Sequence, residues 1–126
     1  MSVIDHLGLP VRDMARAVPF YTEILGTLGI RCLTDFEHEG KRHAGFGVEH
    51  PVFWLSASKG PVGGTHVAFA AKSRAEVIAF HTVALSLGGR DNGKPGLRPH
   101  YHPHYFGAFV LDADGNNIEA VCHGPE

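Results

Sequence analysis

The sequence has few cysteines, no long apolar run and no excess of one charge, and each shortage excludes a class of protein. Its two cysteines, Cys32 and Cys122, are too few and too far apart for a disulfide framework, so we expect both to be reduced. No apolar stretch is long enough to span a membrane, and the N-terminus lacks the basic and apolar regions of a signal peptide. We therefore expect a cytoplasmic protein with no membrane partner. The net charge of -2 argues against nucleic-acid binding driven by bulk charge.

The residues that the sequence does contain are typical of one globular domain. It has 126 residues, of which 44% are apolar and 19% are charged, and this is enough for a substantial core. We expect a single domain over residues 1–126. The 16 glycines indicate many turns or closely packed strands, and 10 histidines are many for this length. Three of the histidines, His100, His102 and His104, lie together in one segment.

The apolar pattern predicts two helices and a series of strands. Asp13 and Ser73 are typical N-cap residues, and we predict helices that run from them to about Leu25 and Leu87. Alternation of apolar and polar residues predicts strands at 3–11, 30–36, 42–48, 51–57, 65–70, 105–111 and 117–123, with a further strand between residues 89 and 99. A glycine-rich segment, 58–64, links the two halves of the chain.

The two halves repeat one another when His6 is aligned with His66. Phe20 then falls on Phe80, and a strand, a helix cap, a helix and the glycine that stops it all stay in register. This argues for a duplicated unit of strand, helix and three strands, a βαβββ module, and hence for an α+β fold. The modules span about residues 1–60 and 61–126.

Glu119 lies in the middle of an otherwise apolar strand, where a carboxylate is costly to bury unless it is paired or bound to a metal. The repeat places His6 and His66 at equivalent positions in the first strand of each module, and it makes Trp54 the counterpart of Glu119 in the last strand. A small residue follows each histidine two positions later, which leaves room for a ligand. Two imidazoles and one carboxylate form the facial triad that binds Fe2+, and Zn2+, Mn2+ or Ni2+ also accept these ligands. We therefore predict a metal site at His6, His66 and Glu119.

With these residues the chain resembles the vicinal oxygen chelate superfamily, which includes glyoxalase I, extradiol dioxygenases, fosfomycin-resistance transferases and bleomycin-resistance proteins. The resemblance covers nearly the whole chain. It rests on residues 4–11 with Asp13, Phe20 and Tyr21, on residues 64–69, and on residues 105–119. It implies that the two modules curl a mixed sheet around a metal-binding cleft, and that His6, His66 and Glu119 occupy metal-ligand positions of the family.

The resemblance also implies a class of reaction. Glyoxalase I-like members have a fourth ligand where this chain has Trp54, which cannot bind a metal. The three-ligand pattern resembles that of extradiol dioxygenases, so we expect an enzyme of that type, with Fe2+ as the favoured metal and a small substrate that offers two neighbouring oxygens. Two alternatives stay open. One is a lactoylglutathione lyase-like enzyme of the glyoxalase type, and the other is a metal-free small-molecule binding protein of the bleomycin-resistance kind.

The resemblance extends to proton transfer and to assembly. Extradiol dioxygenases use a histidine and a tyrosine as acid and base, and we expect His102, His104 or Tyr105 to serve here. Family members commonly pair two chains, so we expect a homodimer in which His6 meets His66 of its own chain or of the partner. An aromatic wall would suit a small apolar or aromatic substrate. We predict that this wall consists of Phe46, Phe53, Trp54, Phe106 and Phe109.

Overall fold

The computed structural model describes residues 2–126, which form two helices and eight strands. In chain order these are β1 (Leu7–Val11), α1 (Met14–Gly26), β2 (Arg31–His38), β3 (Lys41–Gly47), β4 (Pro51–Ala57), β5 (His66–Ala70), α2 (Arg74–Ser86), β6 (Arg90–Leu97), β7 (Phe106–Leu111) and β8 (Asn117–Cys122). Neither of the two helices in this part of the chain is long and apolar enough to cross a membrane.

The strands form two four-stranded sheets, one from each half of the chain. Their orders are β1-β4-β3-β2 and β5-β8-β7-β6. In each sheet the first strand lies parallel to the last, and the other neighbours are antiparallel. The same order and the same mixture of directions in both sheets confirm the predicted α+β fold of two βαβββ modules.

Both helices begin and end where local chemistry predicts. The Asp13 carboxylate and the Ser73 hydroxyl each accept a hydrogen bond from the N–H three residues ahead, at 3.3 and 3.2 Å. After each helix comes a glycine in the left-handed region, with φ of 77° at Gly29 and 94° at Gly88. Residues with a Cβ rarely adopt this conformation, so these glycines stop the helices.

The first strand is shorter than predicted. It begins at Leu7 rather than Val3, and the side chains of Val3 and Ile4 are exposed. Its neighbour β4 pairs with it only from Phe53 onward, where Phe53 lies opposite Leu7. The alternation in residues 3–6 therefore has no pairing partner, and His6 lies just before β1 instead of within it.

The two modules share one hydrophobic core. The ring of Phe53 on β4 packs edge-on against Phe69 on β5, with 5.0 Å between ring centroids, and the Tyr21 ring of α1 lies 5.4 Å from Phe53. The Tyr21 hydroxyl donates to Asp112 of the other module at 2.6 Å, and both groups are buried. Each sheet turns one face toward this core, so alternate residues of every strand lie on its second face. Trp54 is among the residues on that second face, because it follows Phe53 in β4.

Candidate metal-binding site

Glu119 lies on the second face of its sheet, in the interior strand β8. Its neighbours across the sheet are Ala68 on β5 and Phe109 on β7. Only 1% of its surface is exposed, although it points away from the shared core. Gly107 leaves space for it, since a Cβ at that position would lie 3.2 Å from Glu119 Oε2. The sheet thus holds a buried carboxylate at a fixed place.

One side chain meets each oxygen of this carboxylate. His66 Nε2 lies 2.8 Å from Oε1, and the Tyr105 hydroxyl donates a hydrogen bond to Oε2. Burial, followed by the hydrogen bond to Glu119, raises the pKa of Tyr105 well above its ordinary value, so this hydroxyl keeps its proton. A buried charge that is paired on both sides avoids most of the desolvation cost of an isolated one.

The His66–Glu119 pair has the chemistry and spacing of neighbouring metal ligands. Ligand atoms that each lie about 2.1 Å from a metal are about 3 Å apart at adjacent coordination positions. The separation of His66 Nε2 and Glu119 Oε1 is 2.8 Å. The His66 side chain is 52% exposed, which leaves access from solvent or substrate. An imidazole nitrogen beside a carboxylate therefore fits Fe2+ or Zn2+ as part of a larger ligand set.

His6 does not join the other two predicted ligands within the chain. It precedes β1 in the other sheet, its side chain is 59% exposed, and its Nδ1 lies 2.6 Å from Asp5 Oδ1. Over residues 2–126 there is no group of three histidine, cysteine or acidic side chains that could hold a metal. The structure thus brings together two of the three predicted ligands.

The pairing of the strands supports the predicted equivalence of Trp54 and Glu119. Trp54 lies opposite Gly8 on β1, just as Glu119 lies opposite Ala68 on β5. The Trp54 ring covers Gly45 on β3, where a Cβ would approach the ring to 2.9 Å. The two modules therefore present different chemistry at the same structural position: an acid on one second face and an aromatic ring on the other.

The histidine-rich segment before β7 reaches the site through two of its three predicted residues. Tyr105 contacts Glu119 directly, and the His102 ring lies 5.8 Å from the Tyr105 ring. His104 contributes its backbone, because its N–H donates to His102 Nδ1 at 3.1 Å. A neutral His102 must then carry its proton on Nε2, which contacts Nδ1 of His123.

Sequence reasoning missed His123 and Arg98. The His123 ring lies 5.1 Å from the Tyr105 ring, and Arg98 pairs with Tyr105 across the sheet through a 2.7 Å backbone hydrogen bond. A signal for His123 was present in the sequence, since it follows Glu119 by four residues and alternation puts both on one face. Arg98 had no such signal, because its approach depends on how β6 pairs with β7.

The predicted aromatic wall is corrected by the structure. Phe46 and Phe53 are buried in the shared core, and Phe106 packs against that core from its edge. Each of these three residues is next in sequence to a residue of the second face, so the alternation of the strand turns its side chain toward the core. Trp54 and Phe109 alone of the five lie on second faces, and they lie on different sheets.

The His66–Glu119 pair lies outside two cavities of the molecule. A cavity of about 270 Å³ is lined by α1 residues such as Phe20 and Tyr21, and another of about 430 Å³ lies near Arg12 and Lys41. Neither includes Glu119 in its lining. A substrate held at this site would therefore lie outside both of these cavities.

The sequence matches the family model described as Glyoxalase/Bleomycin resistance protein/Dioxygenase superfamily over residues 3–120. No curated protein matches it. Its fold is similar to that of a glyoxalase/bleomycin resistance protein from Albidiferax ferrireducens T118, with 26% identity, a TM-score of 0.76, and coverage of 96% of this chain and 99% of that one.

Two further solved structures share the fold at lower identity. Glyoxalase I from Zea mays is 21% identical with a TM-score of 0.72, and the match covers 94% of this chain and 45% of that one. The chain thus spans about half the length of the maize protein. TioX from Micromonospora sp. ML1 is 17% identical with a TM-score of 0.70, and the match covers 98% and 100% of the two chains. At these identities the likeness concerns the fold alone.

Proposed function

The chain belongs to the glyoxalase/bleomycin resistance protein/dioxygenase superfamily, and from this premise we propose that it is a metal-dependent enzyme of the extradiol-dioxygenase type that acts on a small substrate with two neighbouring oxygens. The observation that carries the proposal is the contact between buried Glu119 and His66 at 2.8 Å. A carboxylate and an imidazole nitrogen held together by separate strands form a preorganised part of a metal site. Trp54, at the equivalent place in the other module, supplies no ligand.

The proposed ligands are His66 and Glu119 of one copy and His6 of a second copy. When bound, a divalent metal, with Fe2+ favoured, supplies Lewis-acid chemistry to the substrate oxygens. Tyr105 fixes the carboxylate by donating to Oε2, which leaves Oε1 beside His66. This arrangement directs one carboxylate oxygen and one imidazole nitrogen toward the same point.

The second copy would also supply a wall for the substrate pocket at the His66–Glu119 site. The second face of the β1–β4 sheet presents Phe36 and Val52, which are 44% and 39% exposed, beside Trp54. Such a row of exposed apolar side chains favours contact with another surface. In the proposed homodimer this face covers the His66–Glu119 face of the partner, so that Trp54 closes the pocket and His6 approaches the metal.

Proton transfer is assigned to the side chains around Tyr105. The Tyr105 hydroxyl retains its proton beside Glu119, and His123 lies next to the ring. His102 holds its proton on Nε2, toward His123 Nδ1. The raised pKa of Tyr105 makes its hydroxyl a poor proton donor, so proton transfer is assigned to the neighbouring His102–His123 pair, whose ring nitrogens contact each other.

Metal content tests the proposal most directly. Protein purified without chelators is expected to contain about one metal ion per chain by elemental analysis, and Glu119→Gln is expected to contain little. Glu49→Gln, at an exposed position away from the site, is the matched control. Wild-type protein without stoichiometric metal, even after anaerobic addition of Fe2+, would sink the proposal. Oxygen uptake with a panel of catechols then tests the dioxygenase reaction itself.

One observation favours a second candidate, a metal-free binding protein of the bleomycin-resistance kind. Residues 2–126 assemble only two of the three ligands, and Glu119 is already paired by His66 and Tyr105. In such a protein these groups would hydrogen-bond a ligand or one another. Ligand binding that is unchanged by chelators and by Glu119→Gln would support this candidate over the enzyme.

A further inference from the structure

We infer that Arg98 binds a carboxylate of the substrate, so that the site takes a small molecule with two metal-binding oxygens at one end and a carboxylate at the other. This inference rests on the proposed function for the first end of the substrate, but the carboxylate end rests on Arg98 alone. It assigns a specificity-determining role to a residue that the metal site does not use.

Arg98 lies on the same face of the sheet as Glu119. Its N–H donates to the Tyr105 carbonyl at 2.7 Å, so the two residues are neighbours across the extended β6–β7 hairpin. The Arg98 guanidinium lies over the ring of Phe109, 5.4 Å from its centroid, and Phe109 lies opposite Glu119 in the pairing of β7 with β8. Arg98, Phe109 and Glu119 therefore form a row across the sheet.

The guanidinium is held in place before any ligand arrives. Its two terminal nitrogens donate to the backbone carbonyls of Gly96 at 2.8 Å and Lys94 at 2.7 Å. Glycines clear the space that it occupies: a Cβ at Gly93 or Gly96 would lie 3.2 Å from one of these nitrogens. An arginine whose rotamer is already fixed loses less entropy when it binds an anion.

The guanidinium also has unused donors and no counter-ion. It carries five N–H groups, of which the two carbonyls take one each. None of the ion pairs formed by residues 2–126 includes Arg98. The remaining N–H groups form the planar fork that matches a carboxylate, and such charge-assisted bonds are stronger than neutral ones.

The spacing along the row sets the length of the substrate. Arg98 lies in the segment after β6, two strands away from Glu119, and adjacent strands are about 4.8 Å apart, so the backbones of the two residues are separated by about 10 Å. The guanidinium reaches back over Phe109 toward Glu119, so the distance between the two charged groups is shorter than this. This separation limits the substrate to a small molecule such as one aromatic ring with oxygens at one edge and a carboxylate at the opposite edge.

The test compares two catechols on protein loaded with Zn2+, a metal that does not oxidise them. By calorimetry, wild-type protein is expected to bind 3,4-dihydroxybenzoate at least tenfold more tightly than 4-methylcatechol, in line with the strength of charged hydrogen bonds. Arg98→Gln is expected to abolish this preference, Arg98→Lys to keep part of it, and the matched control Arg90→Gln, at the start of β6, to keep all of it. Equal affinities for the two catechols in the wild type would overturn the inference.

A second measurement needs neither metal nor variant. Benzoate is titrated into metal-free wild-type protein labelled with 15N at arginine, and the Nε–H signal of Arg98 is followed by NMR. We expect a saturable shift of this signal that exceeds the shift of Arg90, and an unshifted Arg98 signal would contradict carboxylate binding. If this shift occurs but no metal binds, the proposed function fails and the Arg98 site stands. If metal binds, the two catechols have equal affinities and the Arg98 Nε–H signal does not shift, the Arg98 site fails and the proposed function stands.

Discussion

Replacement of Glu119 by glutamine separates the metal-binding role of this residue from its role in stability. The two side chains have the same shape, so Glu119→Gln leaves no cavity at a position where only 1% of the surface is exposed. Tyr105 can still donate to the amide oxygen, and the new NH2 group can face His66 Nε2. The variant keeps two hydrogen bonds and loses only their charge.

The expected cost in stability is therefore small. A hydrogen bond to a charged group contributes about 1.5–3 kcal/mol and a neutral one about 1 kcal/mol, so the metal-free variant should lose about 1–2 kcal/mol in its free energy of unfolding. Removing the buried charge offsets part of this loss. Glu119→Ala should lose more, about 3 kcal/mol, because it leaves the Tyr105 hydroxyl without an acceptor and opens a cavity.

The expected cost in metal affinity is large. Mutation of groups that merely orient a metal ligand weakens binding by about 10–100-fold, so loss of a carboxylate ligand should exceed that range. Urea unfolding of metal-free protein measures the change in the free energy of unfolding, and competition with a chromophoric chelator measures the change in Zn2+ affinity. If Glu119→Gln binds Zn2+ as tightly as wild type, Glu119 is not a ligand. If its stability falls as far as that of Glu119→Ala, the pairing with Tyr105 and His66 has been misjudged.

Three further predictions concern the residues around this site and the buried Tyr21–Asp112 contact between the modules. Tyr105→Phe removes the donor to Glu119 Oε2, so chelator competition should show about 10–100-fold weaker Zn2+ binding, whereas equal binding would remove Tyr105 from the site. Trp54→Ala should weaken the proposed dimer, and sedimentation of the wild type and the variant over a range of concentrations checks this; a wild type that stays monomeric contradicts it. Burial and Asp112 raise the pKa of Tyr21. The protonated Tyr21 hydroxyl therefore contributes fully to the free energy of unfolding below about pH 10, the pKa of tyrosine in the unfolded chain, and contributes less above it. From pH 8 to pH 11 the wild type should lose about 1.4 kcal/mol in its free energy of unfolding relative to Tyr21→Phe, and parallel losses in the two proteins would refute the assignment.

The helices and the duplication could be predicted from the sequence because the features that set them are local. A cap, an apolar stripe and a stop glycine lie within one helix, and the repeat shows the same order twice. The start of β1 could not be predicted, since it depends on where β4 begins to pair with it. The error at Phe53 was avoidable: the repeat aligns it with Ile118, which precedes Glu119 and lies on the core face, so its side chain belongs to the core.

The contact between His66 and Glu119 could be predicted from the sequence, but the position of His6 could not. The contact of His66 with Glu119 follows from the pairing of β5 with β8 inside one module, where a parallel first and last strand place the two side chains on one face. The position of His6 relative to them depends instead on how two modules meet. The sequence contains no local signal for that contact, because the same module pair can form within a chain or between chains.

In the proposed homodimer, a two-fold arrangement would bring His6 of one copy to His66 and Glu119 of the other. Within one copy the core face of each sheet packs against a helix and the Phe53–Phe69 contact joins the two modules, whereas the second faces take no part in this shared core. The two second faces are complementary in chemistry, since one carries Glu119 and His66 and the other carries Trp54 with His6 at its edge. In a two-fold dimer the face with Glu119 and His66 on one copy can cover the face with Trp54 on the other copy. This arrangement would close two identical sites and leave no second face unpaired. A duplication that placed the acid on both modules would give no such complementarity. In the proposed dimer Trp54 would therefore contribute a contact between copies, at the position where the other module carries Glu119.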